Sequence, residues 1–154
     1  MARMHAEASA VINAGPDVVY NTIADYEEGH PRILPEKYFS NLQIEEGGVG
    51  AGTVISFSMK VGGSETTYRA RIEEPEPGRV LVEKGLNSDT TTTFTVTPAE
   101  GGKSLVKIAT DWTGSSGIKG LIERAAAPGM LRKVYEEELR KLEEVTASRE
   151  AQQK

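Results

Sequence analysis

The sequence predicts an α+β fold in which a curved antiparallel sheet of seven strands wraps around one long C-terminal helix. Three observations predict this fold. Apolar residues recur at helical spacing through the last part of the chain, from Gly117 to Lys154. Six segments between Phe39 and Thr113, and one near the N-terminus, alternate apolar and polar side chains with the period of two that is typical of strands. Short glycine- or proline-containing loops join the six segments, as in an antiparallel meander.

The C-terminal segment is predicted to be an amphipathic helix. Its polar face carries acidic and basic side chains four positions apart, such as Glu137 and Lys141, which stabilise a solvated face. Pro128 is expected to kink the helix or to divide it, and a main piece from Met130 to about Ala147 would be about 27 Å long. The opposite face needs a partner surface, because it is apolar. Its residues are Leu121, Ile122, Ala125, Leu131, Val134, Tyr135, Leu139, Leu142 and Val145.

Length and composition favour one domain. A chain of 154 residues is long enough to bury a substantial core, and we expect one domain over residues 1–149 with a frayed tail at residues 150–154. With 38% hydrophobic and 27% charged residues and no long apolar stretch, the sequence predicts no membrane span. The N-terminal segment lacks the continuous apolar core of a secretory signal, so we expect a cytoplasmic protein.

Cysteine content and charge exclude several kinds of site and partner. The chain has no cysteine, which excludes disulfides, thiolate nucleophiles and thiolate metal ligands. A net charge of −5, without a cluster of Lys and Arg, argues against nucleic acid as a partner. We expect no cofactor, an apolar small molecule as the partner, and a monomer or a homodimer.

The N-terminal segment is predicted to supply a strand, a short helix and a corner. Small and apolar residues alternate with polar ones from Met4 to Ile12, which predicts a strand. Proline suits the first position of a helix and Asp17 suits the positive end of its dipole, so a helix is predicted from Pro16 to Tyr26. The next segment contains two prolines and a glycine, so it should form a corner or lid with at most one or two helical turns around Ile33 and Leu34.

Alternation also predicts which strand residues face the helix. The six later strands are expected at Phe39–Glu45, Thr53–Val61, Glu65–Glu73, Arg79–Lys84, Thr90–Thr97 and Ser104–Thr113. Charged residues such as Lys60 and Lys107 fall on the outer face, which predicts one solvated and one packed face. The inward residues are then Leu42, Ile44, Ile55, Phe57, Met59, Tyr68, Ala70, Ile72, Val80, Val82, Phe94, Val96, Val106, Ile108 and Trp112.

Four stretches carry a family resemblance. They are ASAVINAGPDVVYNTIADY near the start, EEGGVGAGT between the second and third strands, ATDWTG in the last strand and APGMLRKVYEEELRKLEE in the helix. Together they resemble the START-like (SRPBCC) superfamily of birch-pollen allergens, polyketide cyclases/dehydrases and lipid-transfer domains, and most of all its bacterial polyketide cyclase/dehydrase branch. The resemblance implies a helix-grip fold with a cavity between sheet and helix that accepts an apolar or aromatic small molecule.

A cavity is also expected on geometric grounds. A strongly curved sheet touches a straight helix along one line only, so a gap opens unless large side chains fill it, and the inward residues are of mixed size. Mostly apolar walls with a few hydroxyls are typical of small-molecule sites. A filled core built from the same residues is the alternative. The residues predicted to line the cavity are Tyr26, Phe57, Met59, Tyr68, Thr92, Phe94, Thr110, Trp112, Leu131 and Tyr135.

Three hydroxyl groups are candidates for contacting a ligand. Thr92 shares a strand face with Phe94, and Thr110 shares one with Trp112, so both hydroxyls point inward under the predicted alternation. Tyr135 lies on the apolar helix face, where its hydroxyl needs a partner in a ligand or in the protein. Asp111 points outward under the same alternation, which argues against a catalytic role.

Two further stretches suggest other chemistry. The loop Gly47–Gly52 has the composition of a phosphate-binding loop, but it lacks the GK[ST] ending and precedes a strand, so a mobile hairpin loop near the pocket mouth is favoured. His30 lies near Asp25 and Glu27 and is the one candidate for a catalytic group, as a general base. With two histidines in the chain and no HExxH spacing, a solvated loop histidine is favoured and no metal site is expected.

These observations leave three classes of function. Binding, as a carrier or sensor of a lipid, polyketide or quinone-like molecule, leads because the sequence offers no Ser/His/Asp set or acid pair. A cyclase or dehydratase is the second class. Cyclases of this superfamily resemble one another in a pocket arginine, and the corresponding position here is Ser58, although Arg69 or Arg71 would serve if the fourth strand were shifted by one residue. A co-chaperone-like protein-interaction module is the third class.

Overall fold

The structure is a computed structural model that describes residues 3–61, 64–113 and 117–153, with side chains for residues 3–60, 65–113 and 127–149. The described residues form strands and helices in the order that the sequence predicts. The elements are β1 (Arg3–Ile12), α1 (Pro16–Ala24), α2 (Gly29–Ile33), β2 (Phe39–Glu46), β3 (Val54–Val61), β4 (Ser64–Glu76), β5 (Val80–Gly85), β6 (Thr91–Ala99), β7 (Lys103–Thr113) and α3 (Gly117–Gln153).

The strands form one curved antiparallel sheet in the order β1-β7-β6-β5-β4-β3-β2. Strands β2 to β7 follow one another as a meander, and β1 closes the order by pairing with β7. Helix α3 packs against this sheet and contacts β1, α1 and α2. The predicted α+β helix-grip arrangement is therefore confirmed.

The alternation of β1 is the clearest link between sequence and packing. Its even-numbered residues from Met4 to Ile12 lie on the packed face, while His5 and Glu7 are exposed. The small residues Ala6 and Ala8 let α3 approach this edge of the sheet closely, because alanine adds little bulk between two backbones.

Helices α1 and α2 fill the space between one end of the sheet and α3. Helix α1 begins at Pro16 and buries Val19 and Ile23, which are 0% exposed. Helix α2 is a single short helix in the predicted corner, and its Ile33 is also 0% exposed. A β-carbon at Gly29 would lie 2.5 Å from the carbonyl oxygen of Thr22, so only glycine allows α2 to start this close to α1.

Strand β5 has the opposite orientation to the one predicted. Leu81 is 0% exposed and pairs with Phe94, whereas Val80 and Val82, predicted to face inward, are only partly buried. Leu81 and Glu83 face the interior because they pair in regular register with Phe94 and Thr92, which are buried on that face of β6. Three consecutive apolar residues give no alternation from which the correct face could be read.

The prediction for Ile44 was also wrong with respect to burial. Ile44 pairs with the buried Ile55, but it lies on the edge strand β2 and is 39% exposed. Strand β2 is irregular: its register with β3 shifts twice, and Asn41 adopts a φ of 54°. Leu42 remains partly buried against the core.

Helix α3 runs without interruption from Gly117 to Gln153, so Pro128 does not divide it and it extends beyond the expected end near Ala147. The described part of its apolar face packs as predicted, with Val134, Leu139 and Leu142 nearly inaccessible to solvent. The side chains of Leu121, Ile122 and Ala125 lie outside the described residues.

The glycine-rich loop between β2 and β3 is tied to the end of α1 and does not line the cavity described below. Gly50 donates a backbone hydrogen bond to the carbonyl of Ala24, and the amide of Tyr26 donates one to Gly48. Gly50 has a φ of 68°, and a β-carbon there would lie 2.6 Å from Glu74. The loop therefore does not lie at the pocket mouth as expected, and its glycines allow close contact with its neighbours.

Candidate functional site

A partly enclosed cavity of about 230 Å³ lies between the sheet and α3. Its walls are mostly apolar and aromatic, and polar groups gather on one side, which is the usual composition of a small-molecule site. The lining residues are His30, Leu34, Phe39, Leu42, Ile55, Phe57, Met59, Tyr68, Glu83, Thr90, Thr92, Phe94, Thr110, Trp112, Ala127, Leu131, Tyr135 and Glu138.

The structure brings together all but one of the residues predicted to line a cavity. The exception is Tyr26, which is 1% exposed and lies behind the wall, with its ring stacked on His30 at a centroid distance of 4.3 Å. Whether the remaining residues contact a ligand stays a prediction. They are Phe57, Met59, Tyr68, Thr92, Phe94, Thr110, Trp112, Leu131 and Tyr135.

An aromatic wall forms one side of the cavity. The Phe57 ring stacks on Tyr68 with centroids 5.7 Å apart, and Phe39 packs against Phe57 at 5.9 Å. Phe57 and Tyr68 are paired residues on β3 and β4, so the sheet register holds their rings side by side. All three side chains are only partly buried, so part of each ring surface is available for contact with a ligand.

The three predicted hydroxyls are joined in a chain. The hydroxyl oxygens of Thr92 and Thr110 are 2.8 Å apart, and the Thr110 hydroxyl is also hydrogen-bonded to the hydroxyl of Tyr135. Thr92 and Thr110 face each other because β6 and β7 pair at these residues. Tyr135 therefore anchors α3 to the sheet, and burial raises the pKa of its hydroxyl.

His30 is a buried wall residue, so the expectation of a solvated loop histidine was wrong. Its side chain is 3% exposed, stacks on Tyr26 and meets the Phe94 ring edge-on at 5.5 Å. Nδ1 lies 2.7 Å from the carbonyl oxygen of Ile23, which makes Nδ1 the protonated nitrogen and leaves Nε2 as an acceptor. Burial lowers the pKa of His30 and keeps the ring neutral at pH 7, against the opposing effect of Glu83.

Glu83 lies on β5, on the face of the sheet that borders the cavity. It pairs with Ile72 on one side and with Thr92 on the other, and both of these residues face the interior. Its Oε2 accepts a hydrogen bond of 2.6 Å from the Tyr26 hydroxyl and lies 3.5 Å from Nε2 of His30. Because the pKa of His30 is lowered, we regard this second contact as a neutral ring beside a carboxyl group and not as an ion pair.

Glu138, on α3, contributes a second carboxyl group to the cavity wall. It is 1% exposed, and neither of its oxygens has a hydrogen-bond partner in the described structure. Burial raises the pKa of Glu138 well above its ordinary value, and the nearby charge of Glu83 raises it further. Both effects favour the protonated form of Glu138.

Sequence reasoning missed both acids. Glu138 lies seven residues after Leu131 and four before Leu142, a spacing that puts it on the apolar face of α3, and this signal was available. Glu83 had no comparable signal, because it follows the Val-Leu-Val run, whose three consecutive apolar residues show no alternation.

The described structure excludes the arginine alternatives. Arg69 lies on the outer face, where its guanidinium group contacts both carboxylate oxygens of Glu45 at distances between 2.7 and 3.2 Å. Arg71 is exposed, and Ser58 pairs with Thr67 without lining the cavity. No Lys or Arg stands among the described residues of the cavity wall.

Other kinds of site find little support within the described ranges. No three His, Asp or Glu side chains converge there in a way that could hold a metal ion. No helix in the same part of the chain combines the length and apolar character that a bilayer crossing requires.

Several known proteins share this fold. The chain is 34% identical to KanY protein (ms6282), whose solution structure matches with a TM-score of 0.83 over 96% of this chain and 99% of that chain. TTHA0849 from Thermus thermophilus is 22% identical, with a TM-score of 0.76 over 94% of this chain and 97% of that chain. The Zhui aromatase/cyclase from Streptomyces sp. R1128 is 17% identical, with a TM-score of 0.80 over 96% of each chain.

A family model gives the assignment. No curated protein sequence matches the chain. The model described as polyketide cyclase / dehydrase and lipid transport matches residues 3–147, which is nearly the whole chain. The chain therefore belongs to the polyketide cyclase/dehydrase and lipid-transport family of the START-like superfamily.

Proposed function

We propose that the protein binds an apolar or aromatic small molecule in the cavity between the sheet and α3, as a carrier or sensor. The observation that carries this proposal is the cavity itself: about 230 Å³ of space with aromatic walls and one polar side. A cavity of this kind provides apolar surface for the body of a ligand and a few polar groups for its orientation. The family description, which includes lipid transport, supports the same reading.

The cavity walls suit a flat ring system. Phe57 and Tyr68 present stacked rings, and Trp112 is partly buried at the same end of the sheet. Aromatic rings packed against these faces gain both buried area and favourable ring geometry.

Fluorescence of Trp112, the one tryptophan of the chain, tests the proposal. We expect the neutral dye N-phenyl-1-naphthylamine to bind saturably and to change the Trp112 emission. Ala127→Phe, which places a ring in the cavity, should weaken dye binding about tenfold or more, a loss of about 1.4 kcal/mol. Ala147→Phe is the matched control, because Ala147 lies on the exposed face of the same helix.

The dye experiment has a clear negative outcome. Equal dye affinity in the two phenylalanine variants would mean that the dye binds elsewhere, and the proposal would then lose its main support. Native mass spectrometry of the purified protein offers a second test, since a carrier is expected to retain a bound molecule.

Acid–base catalysis, of the cyclase or dehydratase type, is the second candidate. Glu83, Glu138 and the acceptor nitrogen of His30 surround one side of the cavity, and this is the acid pair that sequence reasoning did not find. A protonated Glu138 could donate a proton to a carbonyl oxygen, while Nε2 of His30 could accept one from carbon. Turnover of an aromatic polyketone surrogate that is lost in both His30→Ala and Glu138→Gln would favour this candidate over simple binding.

A protein-interaction module is less well supported. That function predicts a filled cavity beside a large exposed apolar patch. The cavity is open. Of the exposed large apolar residues of the described structure, Val11 and Leu105 pair across β1 and β7, whereas the others lie on separate elements: Ile44, Val49 and Leu86.

A further inference from the structure

The polar side of the cavity contains acidic groups, and the described residues around it supply no compensating cation. Two of the lining residues, Glu83 and Glu138, carry carboxyl groups, and no described lining residue is Lys or Arg. Burying a charge is costly unless an opposite charge or several hydrogen bonds stabilise it. A ligand with a positive charge would supply the missing partner.

Glu138 has no hydrogen-bond partner among the described residues. Both of its carboxylate oxygens are inaccessible to solvent and unpaired, and the residue lines the cavity. Buried polar atoms nearly always have partners in folded proteins, so an unpaired carboxyl group on a residue that lines a cavity indicates a place for a ligand group.

The polar groups of the neighbouring elements already have other hydrogen-bond partners, and none of them pairs with the Glu138 carboxyl group. On β5, Glu83 is itself an acid whose Oε2 accepts the hydrogen bond from Tyr26 at the end of α1. On α2, the ring of His30 donates through Nδ1 to Ile23. On α3, the Tyr135 hydroxyl is bonded to Thr110. None of these groups supplies a positive charge, because burial also lowers the pKa of His30.

We propose that the ligand is an apolar or aromatic amine, bound as its ammonium ion with Glu138 as the partner of the charged nitrogen and Glu83 beside it. This inference rests on the proposed function, since it assigns a chemical class to the occupant of the same cavity. The apolar body of the amine packs against the rings of Phe57 and Tyr68. Carboxylic acids such as fatty acids are disfavoured by the same two acids.

Binding of an ammonium ion is coupled to the release of a proton. The pKa of Glu138 is raised by burial and by Glu83, which favours its protonated form in the free protein, whereas an arriving cation favours the ionised form. The affinity for an amine should therefore increase from pH 5 to pH 8. A neutral ligand that accepts a hydrogen bond from protonated Glu138 would show the opposite trend.

Calorimetry with three ligands of one shape tests the inference. The ligands are 2-(2-naphthyl)ethylamine, 2-(2-naphthyl)ethanol and 2-naphthylacetic acid, which share their apolar body and differ in charge. At pH 7 we expect the amine to bind about tenfold more tightly than the alcohol, because a charge-assisted hydrogen bond is the stronger one. The acid should bind most weakly, and amine binding should release protons into the buffer.

A matched pair of variants assigns the effect to Glu138. Glu138→Gln should reduce the preference for the amine over the alcohol to about twofold or less, because amide and hydroxyl partners lack charge assistance. Glu144→Gln, at an exposed position of the same helix, should leave the preference unchanged. If Glu138→Gln does not fold, the order of affinities of the three ligands for the unmodified protein still tests the preference for an amine.

The outcomes separate the two proposals. If the alcohol or the acid binds as tightly as the amine, the inference is overturned while the proposed function stands. If an amine preference persists in Glu138→Gln, Glu138 is not its partner and the inference is equally overturned. If none of the three ligands binds, both the proposed function and this inference fail.

Discussion

The two ends of the space between the sheet and α3 are built from the same strands and the same helix, yet one is packed and the other is hollow. At the packed end lie Ile12, Val96, Val106 and Leu142, each no more than 1% exposed. At the hollow end lie partly buried residues around the cavity, including Met59, Trp112 and Leu131.

Two hydrogen bonds fix how α3 runs between these ends. The Tyr135 hydroxyl bonds to Thr110 at the cavity end, while a carboxylate oxygen of Glu143 lies 3.3 Å from the backbone nitrogen of Asn13 at the packed end. The difference between the ends arises from α1, which contacts α3, β6 and β7 and buries Val19 and Ile23. Helix α1 thus fills the gap at one end, while the other end stays open.

The same fold thus divides into a part that stabilises it and a part that leaves space. Apolar burial at the packed end stabilises the domain, whereas incomplete burial at the hollow end leaves a cavity with two acids in its wall.

The largest expected contrast comes from one substitution made at both ends of α3. Leu142→Ala should lower the free energy of unfolding by about 2 to 5 kcal/mol, because a closed cavity replaces a fully buried side chain. Leu131→Ala should cost about 1 kcal/mol, because Leu131 is only partly buried and already borders open space. Urea denaturation of both variants checks the difference, and equal costs would contradict the division between the ends.

A stabilising substitution at the hollow end gives the next largest effect. Glu138→Leu should raise the free energy of unfolding by about 1 to 3 kcal/mol at pH 7, since it removes an unpaired buried carboxyl group. Glu144→Leu, on the exposed face, is the control and should show no comparable gain. A loss of stability in Glu138→Leu would indicate that Glu138 has a partner in the free protein.

The sequence predicts the residues of the packed end more completely than those of the hollow end. The packed end follows from periodicity alone, because Ile12, Val96 and Leu142 each lie at the expected place in an alternating or helical pattern. The hollow end was predicted for its aromatic and hydroxyl residues but not for its acids. Glu83 lies on the inward face through its pairing with Thr92, which the Val-Leu-Val run before it does not indicate, and His30 is buried by tertiary contacts with Tyr26 and Phe94.

The dependence of stability on pH should show the effect of Glu138. Its pKa in the folded protein lies above the ordinary value of 4.5, so the folded state holds a proton that the unfolded state has already lost. This group therefore makes the protein less stable as the pH rises from 4.5 through the folded pKa. His30, whose pKa is lowered from 6.5, has the opposite effect, and its stability contribution is lost as the pH falls below 6.5.

Comparing the Glu138→Gln variant with the unmodified protein isolates the contribution of Glu138 to the pH dependence of stability. The melting temperature of Glu138→Gln minus that of the unmodified protein should increase steadily from pH 4.5 to pH 7. The His30 contribution is common to both proteins and largely cancels. A difference that stays constant with pH would show that Glu138 titrates normally.

The smallest expected effect concerns the outer face of the sheet. Arg69→Ala removes an exposed contact with Glu45 and should leave the affinity for N-phenyl-1-naphthylamine unchanged, because Arg69 does not reach the cavity. A clear loss of dye affinity would mean that the guanidinium group turns inward when a ligand is bound.

Methyl NMR during titration with N-phenyl-1-naphthylamine tests the central claim most directly, because it reports on both ends at once. We expect saturable shifts for the methyl groups of Met59 and Leu131, and no shifts for those of Val106 and Leu142. Shifts centred on Val106 and Leu142, or confined to exposed methyl groups such as those of Val49, would contradict the account.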